Sequence, residues 1–311
     1  MLYQKLIFES LLLNKKMKIK QCDRKFRWVS SINGNPEVLS TLNNQMTWFY
    51  GHRDGREMYQ SMLDTQEEIP TDLDSVRHLM PKYICSLNPQ IILEIGCANG
   101  RLYRQLRKYG YEGSYSGVEV ADYIIQQNRH KHPEADWHCS TAYDIPFPDS
   151  YFDVCFSLYV LEHLVYPERA LTEMMRVIKP NGRLVLVFPD FVESGRFASQ
   201  QLGWSCASTA SEKLRKGKLI DALISLYDSR IRLPKALRKT QINLGDFLVN
   251  PYPVCLSYLD IMGADIDAVY IASKKEVHYW AIERGFQVEY PCGTEGGFAE
   301  QAFIVIDKVN T

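Results

Sequence analysis

The sequence predicts a doubly wound α/β fold: a mostly parallel, seven-stranded sheet with a terminal antiparallel strand and helices on both faces. Three observations predict it. Ile91-Ile92-Leu93-Glu94-Ile95 is a short apolar run of the kind a strand buried on both faces shows, and it stops at Gly96. From there to Phe188, strand-like runs alternate with helical patterns, which calls for right-handed crossovers between parallel neighbours. The last two strand-like runs have only a glycine-rich link between them and can pair antiparallel.

Taken in order, the first strand is Ile91 to Ile95, followed by a helix from Arg101 to Tyr109. A second strand from Ser116 to Val120 leads to a helix around Tyr123 to Lys131 and a short strand near Ala135 to Cys139. After Pro148 come a fourth strand, Phe152 to Leu158, and a helix from Pro167 to Ile178. Asn181-Gly182 reads as a turn before the fifth strand, Arg183 to Phe188. A helix from Ser273 to Arg284 precedes strands Phe286 to Tyr290 and Ala302 to Lys308, joined through Cys292 to Gly297. Two segments stand outside this rhythm. Residues 1–85 form a helix-leaning, aromatic-rich extension with a helical pattern from Arg56 to Glu68, and residues 189–268 form a helical, partly basic insertion after the fifth strand. The core domain is then 86–311 with 189–268 inserted.

The bulk numbers fit one such domain with additions. A chain of 311 residues with 46% hydrophobic and 23% charged residues can bury a large core and is neither disordered nor fibrous. A formal charge of -1 supplies no whole-molecule attraction to polyanions, so a nucleic-acid partner is not expected unless a local basic patch provides it. The eight cysteines are scattered, without metal-ligand spacing, and read as reduced thiols in a cytoplasmic protein. Near the N-terminus Leu6-Ile7-Phe8 and Leu11-Leu12-Leu13 are split by Glu9 and lack a small-residue cleavage site, so no secretory signal is read there. No stretch approaches the roughly 20 apolar residues that cross a bilayer, and no membrane partner is expected.

The loop Gly96-Cys97-Ala98-Asn99-Gly100 lies where the first strand turns into a helix, the crevice at which doubly wound sheets bind ligands. A dinucleotide fingerprint would need glycine at 98, where the chain has Ala98, and the phosphate-loop G-K-[ST] is absent. Glu119 ends the second strand, where a carboxylate can accept hydrogen bonds from both ribose hydroxyls of an adenosine.

From Ile91 to Phe188 the chain resembles the class I S-adenosylmethionine-dependent methyltransferases, in particular the small-molecule group that includes the ubiquinone and menaquinone methyltransferases. The resemblance is carried by Leu93-Glu94-Ile95-Gly96-Cys97-Ala98-Asn99-Gly100, by Gly117-Val118-Glu119-Val120, by Asp144-Ile145-Pro146-Phe147-Pro148-Asp149-Ser150-Tyr151-Phe152-Asp153-Val154, by Tyr159-Val160-Leu161-Glu162-His163-Leu164 and by Arg176-Val177-Ile178-Lys179-Pro180-Asn181-Gly182-Arg183-Leu184, in order and at the family's spacings. It covers about a third of the chain and implies S-adenosylmethionine as methyl donor and S-adenosylhomocysteine as product. It implies that Glu94, Gly96, Ala98, Asn99 and Gly100 hold the methionine end, Glu119 with Val120 the ribose, Thr141 and Ala142 the adenine edge, and Ser157 and Tyr159 the sulfonium side. Two positions depart from the pattern. Ala98 stands where the family usually has glycine, adding a methyl group beside the cofactor, and Thr141 stands where it often has an aspartate that bonds the adenine amino group.

An electrophilic sulfonium methyl asks the protein mainly to align a nucleophile in line at about 3 to 3.5 Å. A general base helps when the acceptor is a hydroxyl. His163, just past the fourth strand, is the first candidate for that base; the alternative is that it caps or packs the following helix. Asp190, just past the fifth strand, is the second, as base or cation ligand. His130 and His132 sit at a charged helix end without a third ligand, so no metal site is expected. Asn250-Pro251-Tyr252 reads as a turn, and Pro291-Cys292 falls too late in the chain to be a covalent catalyst.

Substrate choice should then lie in the added segments, which can form a lid rich in aromatics such as Trp48, Phe49, Tyr50, Trp204, Tyr227, Tyr252 and Tyr258; these can equally be the cores of added helical layers. Residues 212–239 hold nine basic against three acidic side chains. They read either as a grip on an anionic or nucleic-acid substrate or as an amphipathic helix with Leu219, Ile220, Leu223, Ile224 and Leu226 inward. The expected activity is methyl transfer to a small molecule, foremost O-methylation of a sugar or secondary metabolite. The alternatives are an RNA or protein methyltransferase using the basic insertion, and a non-catalytic binding module on the same fold.

Overall fold

Ile92, Leu93 and Ile95 are buried on both faces of a sheet, as their unbroken apolar run requires. The computed structural model describes residues 27–51, 59, 60, 63, 74–199, 209–257 and 265–309. The expected helix from Arg56 to Glu68 lies largely outside these residues, as do Trp204 and Tyr258.

A short strand β1 (Val29–Ser30) and helices α1 (Pro36–Gly51) and α2 (Val76–Ser86) precede the core. The core runs β2 (Ile91–Ile95), α3 (Arg101–Lys108), β3 (Ser114–Glu119), α4 (Asp122–Lys131), β4 (Asp136–Cys139), β5 (Phe152–Leu158), α5 (Pro167–Val177) and β6 (Ile178–Pro189). Next come α6 (Phe191–Ser194), α7 (Ala210–Arg215), α8 (Leu219–Tyr227), a π-helical turn Asp228–Arg232, α9 (Leu233–Thr240), β7 (Leu248–Val249) and α10 (Val254–Ser257). Helix α11 (Lys274–Glu283) leads to β8 (Gln287–Glu289) and β9 (Gln301–Asp307).

The seven-stranded sheet has the order β4-β3-β2-β5-β6-β9-β8. The first five strands pair in parallel, and β9, the last strand of the chain, inserts antiparallel between β6 and β8. Chain order reverses direction at β2, which opens the ligand crevice beyond the carboxyl ends of β2, β3 and β5. Helix α5 shows how the flanking helices seat. Pro167 starts it without a wasted N–H, and Ala170, Leu171, Met174 and Met175 recur at helical spacing and are buried.

Two expectations are corrected. Asn181-Gly182 makes no turn ahead of a strand: β6 runs through it, and the pairing register with β5 jumps from Phe152↔Ile178 to Val154↔Arg183. Asn181 takes a left-handed φ of 63° and donates its N–H to the Lys308 carbonyl, so the irregularity is pinned inside the sheet. Helix α8 does not turn Leu219, Ile220 and Leu223 inward; they are 62%, 73% and 64% exposed, and only Ala222 is buried. Among the described residues, α8 packs chiefly against α7, itself at the surface.

The extension and the insertion meet in a way the sequence did not announce. β1 pairs antiparallel with β7 through Val29↔Val249 and Ser30↔Leu248, and α1 packs against α10. Among the described residues, no helix is long and apolar enough to cross a membrane.

Candidate active site

The loop between β2 and α3 curls because alternate residues take left-handed backbone: Gly96 at φ 72°, Ala98 at 44° and Gly100 at 71°. Side chains pin it from several directions. The Ala98 N–H donates to Glu119 Oε2 at 3.1 Å, Asn128 Nδ2 donates to the Ala98 carbonyl at 2.7 Å, and Arg104 Nη1 donates to the Asn99 carbonyl at 2.6 Å. Gly96 and Cys97 both donate to the Val118 carbonyl, continuing the sheet into the loop. These bonds hold Ala98 in a conformation that costs a non-glycine residue about 1 kcal/mol or more.

Glu119 is 5% exposed and fully engaged. Its Oε1 accepts from Val120 N–H at 2.9 Å and Ala121 N–H at 3.3 Å, and Oε2 accepts from Ala98 and, at 3.4 Å, from the Tyr59 hydroxyl. Tyr59 and Glu119 both line the cavity described below. Burial raises the Glu119 pKa, with the backbone N–H bonds opposing. Glu94, beside it, accepts a hydrogen bond from the Tyr115 hydroxyl. Burial pushes Glu94 up to about 8, against the pull of Tyr115 and Arg104.

A cavity of about 650 Å3 opens over this loop. Glu94, Gly96, Ala98 and Asn99 line it, as do Glu119, Val120, Thr141 and Ala142. Tyr159 and His163 line it too. The structure therefore brings ten of the residues expected from the sequence to one cavity.

Three others lie elsewhere. Gly100 starts α3 and faces Trp137, 3.0 Å from where a Cβ would be. Ser157 is buried within β5 and does not reach the cavity wall. Asp190 also stays outside the cavity, fully buried, because its carboxylate is spent on the backbone. Its Oδ1 accepts from Val192 and Glu193 N–H at 3.2 and 3.0 Å, capping α6, and its Oδ2 accepts from Lys274 N–H at 3.1 Å. That is the geometry of a structural cap that ties α6 to α11.

His163 lies on a single 3-10 turn, Leu161–His163, just past β5. Its Nδ1 is 3.7 Å from Asp267 Oδ2 and its Nε2 is 3.8 Å from Glu162 Oε1. The Tyr50 hydroxyl donates to Asp267 Oδ2 at 2.9 Å, and the Tyr50 ring stands edge-on to the imidazole at 6.1 Å. Burial alone would lower the His163 pKa; the charges of Asp267, Glu162 and Asp265 reverse this and raise it above its ordinary value. Glu162 is fully buried, neither carboxylate oxygen has a hydrogen-bond partner among the described residues, and burial lifts it to about 8.

Sequence reasoning named Tyr50 among the aromatics of the extension but missed much else in this half of the cavity. Asp265 and Asp267 come from the end of the insertion, Tyr59 from the extension, and Arg77 from α2, its guanidinium 5.3 Å from the Tyr159 ring centroid. None of these four carries a local signal. Asn128, on the buried face of α4, is the exception: a fully buried amide inside an amphipathic helix calls for a specific partner.

Residues 93–186 match the family model described as a methyltransferase domain. An uncharacterized methyltransferase of Schizosaccharomyces pombe is 32% identical over 102 residues, which is 29% of this chain and 37% of that protein. A 2-phytyl-1,4-naphtoquinone methyltransferase of Nostoc is 29% identical over 102 residues, 30% of this chain and 44% of that protein. The chain thus spans less than half the length of these curated relatives. Among solved structures, the plantazolicin methyltransferase BpumL in complex with SAH aligns over 88% of this chain and 98% of its own, at 12% identity and a TM-score of 0.48. The matched segment, residues 93–186, is similar to a methyltransferase domain.

Proposed function

We propose that the protein transfers the methyl group of S-adenosylmethionine to a hydroxyl of a small molecule, with a sugar or a secondary metabolite as the acceptor class and His163 as the general base. The observation that supports this reading is the single cavity shared by the Gly96–Gly100 loop, Glu119 and the His163–Asp267 pair.

The residues present fit the donor. Glu94 and Glu119 offer carboxylates to its ammonium and its ribose diol, with the Tyr59 hydroxyl giving way at Glu119. Ala98 and Asn99 cover its methionine end, and Thr141 and Ala142 its adenine edge. Bound there, the donor supplies an electrophilic sulfonium methyl. Tyr50, Tyr59 and Tyr159 exclude water from the acceptor side, and His163 takes the acceptor's proton as the new O–CH3 bond replaces the S–CH3 bond, leaving a neutral thioether. Asp267 and Glu162 favour the imidazolium so formed. A second reading, an amine acceptor, is supported by Glu162, whose two unpartnered oxygens could hold an ammonium before it loses its proton.

Calorimetric titration with S-adenosylmethionine and S-adenosylhomocysteine tests the cofactor. Glu119→Ala is expected to weaken binding by about 1.5 to 3 kcal/mol. A folded wild-type chain that binds neither ligand would refute the proposal. Incubation with panels of hydroxylated and amine-bearing small molecules then separates the two acceptor readings by the atom that carries the methyl group. In that assay His163→Gln should cost about 10²- to 10⁴-fold in kcat with donor affinity unchanged.

A further inference from the structure

Thirteen large hydrophobic side chains are exposed among the described residues, and eight of them fall between 214 and 242. Residues 219–240 form one continuous helical rod, α8 through the π-helical turn to α9. One end is seated: Leu233 and Leu237 of α9 are fully buried, and α9 packs against α6. The other end presents Leu219, Ile220, Leu223, Leu226, Tyr227 and Ile231 at 41–73% exposure, beside Leu214 of α7. Such a run of apolar residues on a surface helix, spaced at three and four, needs an occupant.

The charge around it identifies which. Lys216 and Lys218 lead into α8, and Arg230, Lys235, Arg238 and Lys239 follow, all exposed. Of the three acids in 212–239, Asp228 is buried beside Arg232 while Glu212 and Asp221 are exposed, against seven exposed lysines and arginines, so a basic excess stands at the surface. A second copy on this face would bring like charges together. A nucleic acid would answer the cations and leave the leucines in water. An anionic lipid surface answers both: headgroup phosphates pair with the lysines and arginines while the apolar side chains enter the acyl boundary.

We propose that α7, α8 and the turn after α8 form a peripheral docking surface for anionic membranes, lying on the bilayer rather than crossing it. It stands independently of the acceptor and of the catalytic reading.

Flotation of the full chain with vesicles tests it. Vesicles of phosphatidylcholine mixed with phosphatidylglycerol should carry the protein, vesicles of phosphatidylcholine alone should not, and added salt should weaken the binding. Ile220→Glu/Leu223→Glu, at positions 73% and 64% exposed, should reduce binding at least about tenfold. Lys216→Glu/Lys218→Glu should do the same through charge. Unchanged circular dichroism confirms that each variant folds. The proposal fails if the folded wild type ignores anionic vesicles or if the Ile220/Leu223 variant binds them as well as wild type. A dimer in sedimentation that this variant abolishes would give the face to a second copy. Retention of single-stranded RNA by both the wild type and this variant, without vesicle binding, would give the basic residues to nucleic acid.

Discussion

Replacing Gly96 by alanine separates two costs that the cofactor loop imposes on one position. The residue sits at φ 72°, and an ideal Cβ there would lie 2.3 Å from Val160 Cγ2 and 3.3 Å from Cγ1. Left-handed backbone costs alanine about 1 to 2 kcal/mol relative to glycine, and forcing a methyl into a filled space adds about 1 to 3 kcal/mol. Reduced freedom of the unfolded chain returns about 0.4 to 1 kcal/mol. The expected net loss is about 1 to 4.6 kcal/mol, read as a fall in the urea midpoint at constant m-value. The structure supplies its own control. Gly217 has φ 73° with nothing within 4 Å of its Cβ position, so Gly217→Ala carries the conformational cost alone and should lose about 1 kcal/mol or less. Val160→Ala should then couple favourably to Gly96→Ala by about 1 to 3 kcal/mol in a double-mutant cycle, because it removes the opposing methyl groups. Equal destabilisation at positions 96 and 217, or a cycle with no coupling, would refute the account of how the turn after β5 packs on the loop.

Three further outcomes follow from the same geometry. Because Asp267, Glu162 and Asp265 raise the His163 pKa, methyl transfer should rise with pH through a midpoint above 6.5; Asp267→Asn should move that midpoint down, which loss of a purely structural contact would not do, and a pH profile flat across this range in wild type would remove His163 from the chemistry. Burial pushes Glu94 up to about 8, and the donor's ammonium favours its carboxylate form, so donor affinity should increase as pH rises from about 6 toward the point where the ammonium itself loses its proton; calorimetry in buffers of different ionisation enthalpy should detect proton release on binding near neutral pH, and its absence would place the ammonium elsewhere. Asp190→Ala should cost about 1 to 3 kcal/mol of stability by leaving three backbone N–H groups without their acceptor, with donor affinity unchanged in equilibrium binding; a selective loss of turnover in a stable variant would return Asp190 to the reaction.

The sheet was legible because its signals are local. Ile91–Ile95 is apolar throughout because both of its faces are covered, and Pro167 with the spacing of Ala170, Leu171, Met174 and Met175 places α5 without reference to anything distant. The loop and Glu119 were legible for the same reason, being fixed in number and spacing by one strand–turn–helix. Asp190 could not be assigned from the sequence because its position just past a strand end suits a catalyst and a helix cap equally. What decides is whether backbone N–H groups converge on it, and that depends on α11, more than eighty residues on. The outward face of α8 failed in the opposite sense: helical spacing of leucines says that one face is apolar and says nothing of what covers it.

The acceptor half of the cavity could not have been read locally, because it is assembled from contacts between segments far apart in the chain. Tyr50 reaches Asp267 across 217 positions, and β1 finds β7 through only two residue pairs. Its link to the chemistry is a backbone one. The Glu162 carbonyl accepts from the N–H groups of both Val269 and Tyr270, at 2.8 and 2.9 Å. The turn that carries His163 is therefore bonded directly to the segment that carries Asp265 and Asp267. Two backbone hydrogen bonds thus tie the imidazole's turn to the carboxylates' segment, and a shift of one is expected to carry the other. Substitutions elsewhere in the insertion that loosen its packing should accordingly alter acceptor affinity before they alter the pH dependence of methyl transfer, and a variant that shifts the pH midpoint without touching the Asp265–Tyr270 segment would show that the coupling runs by another route.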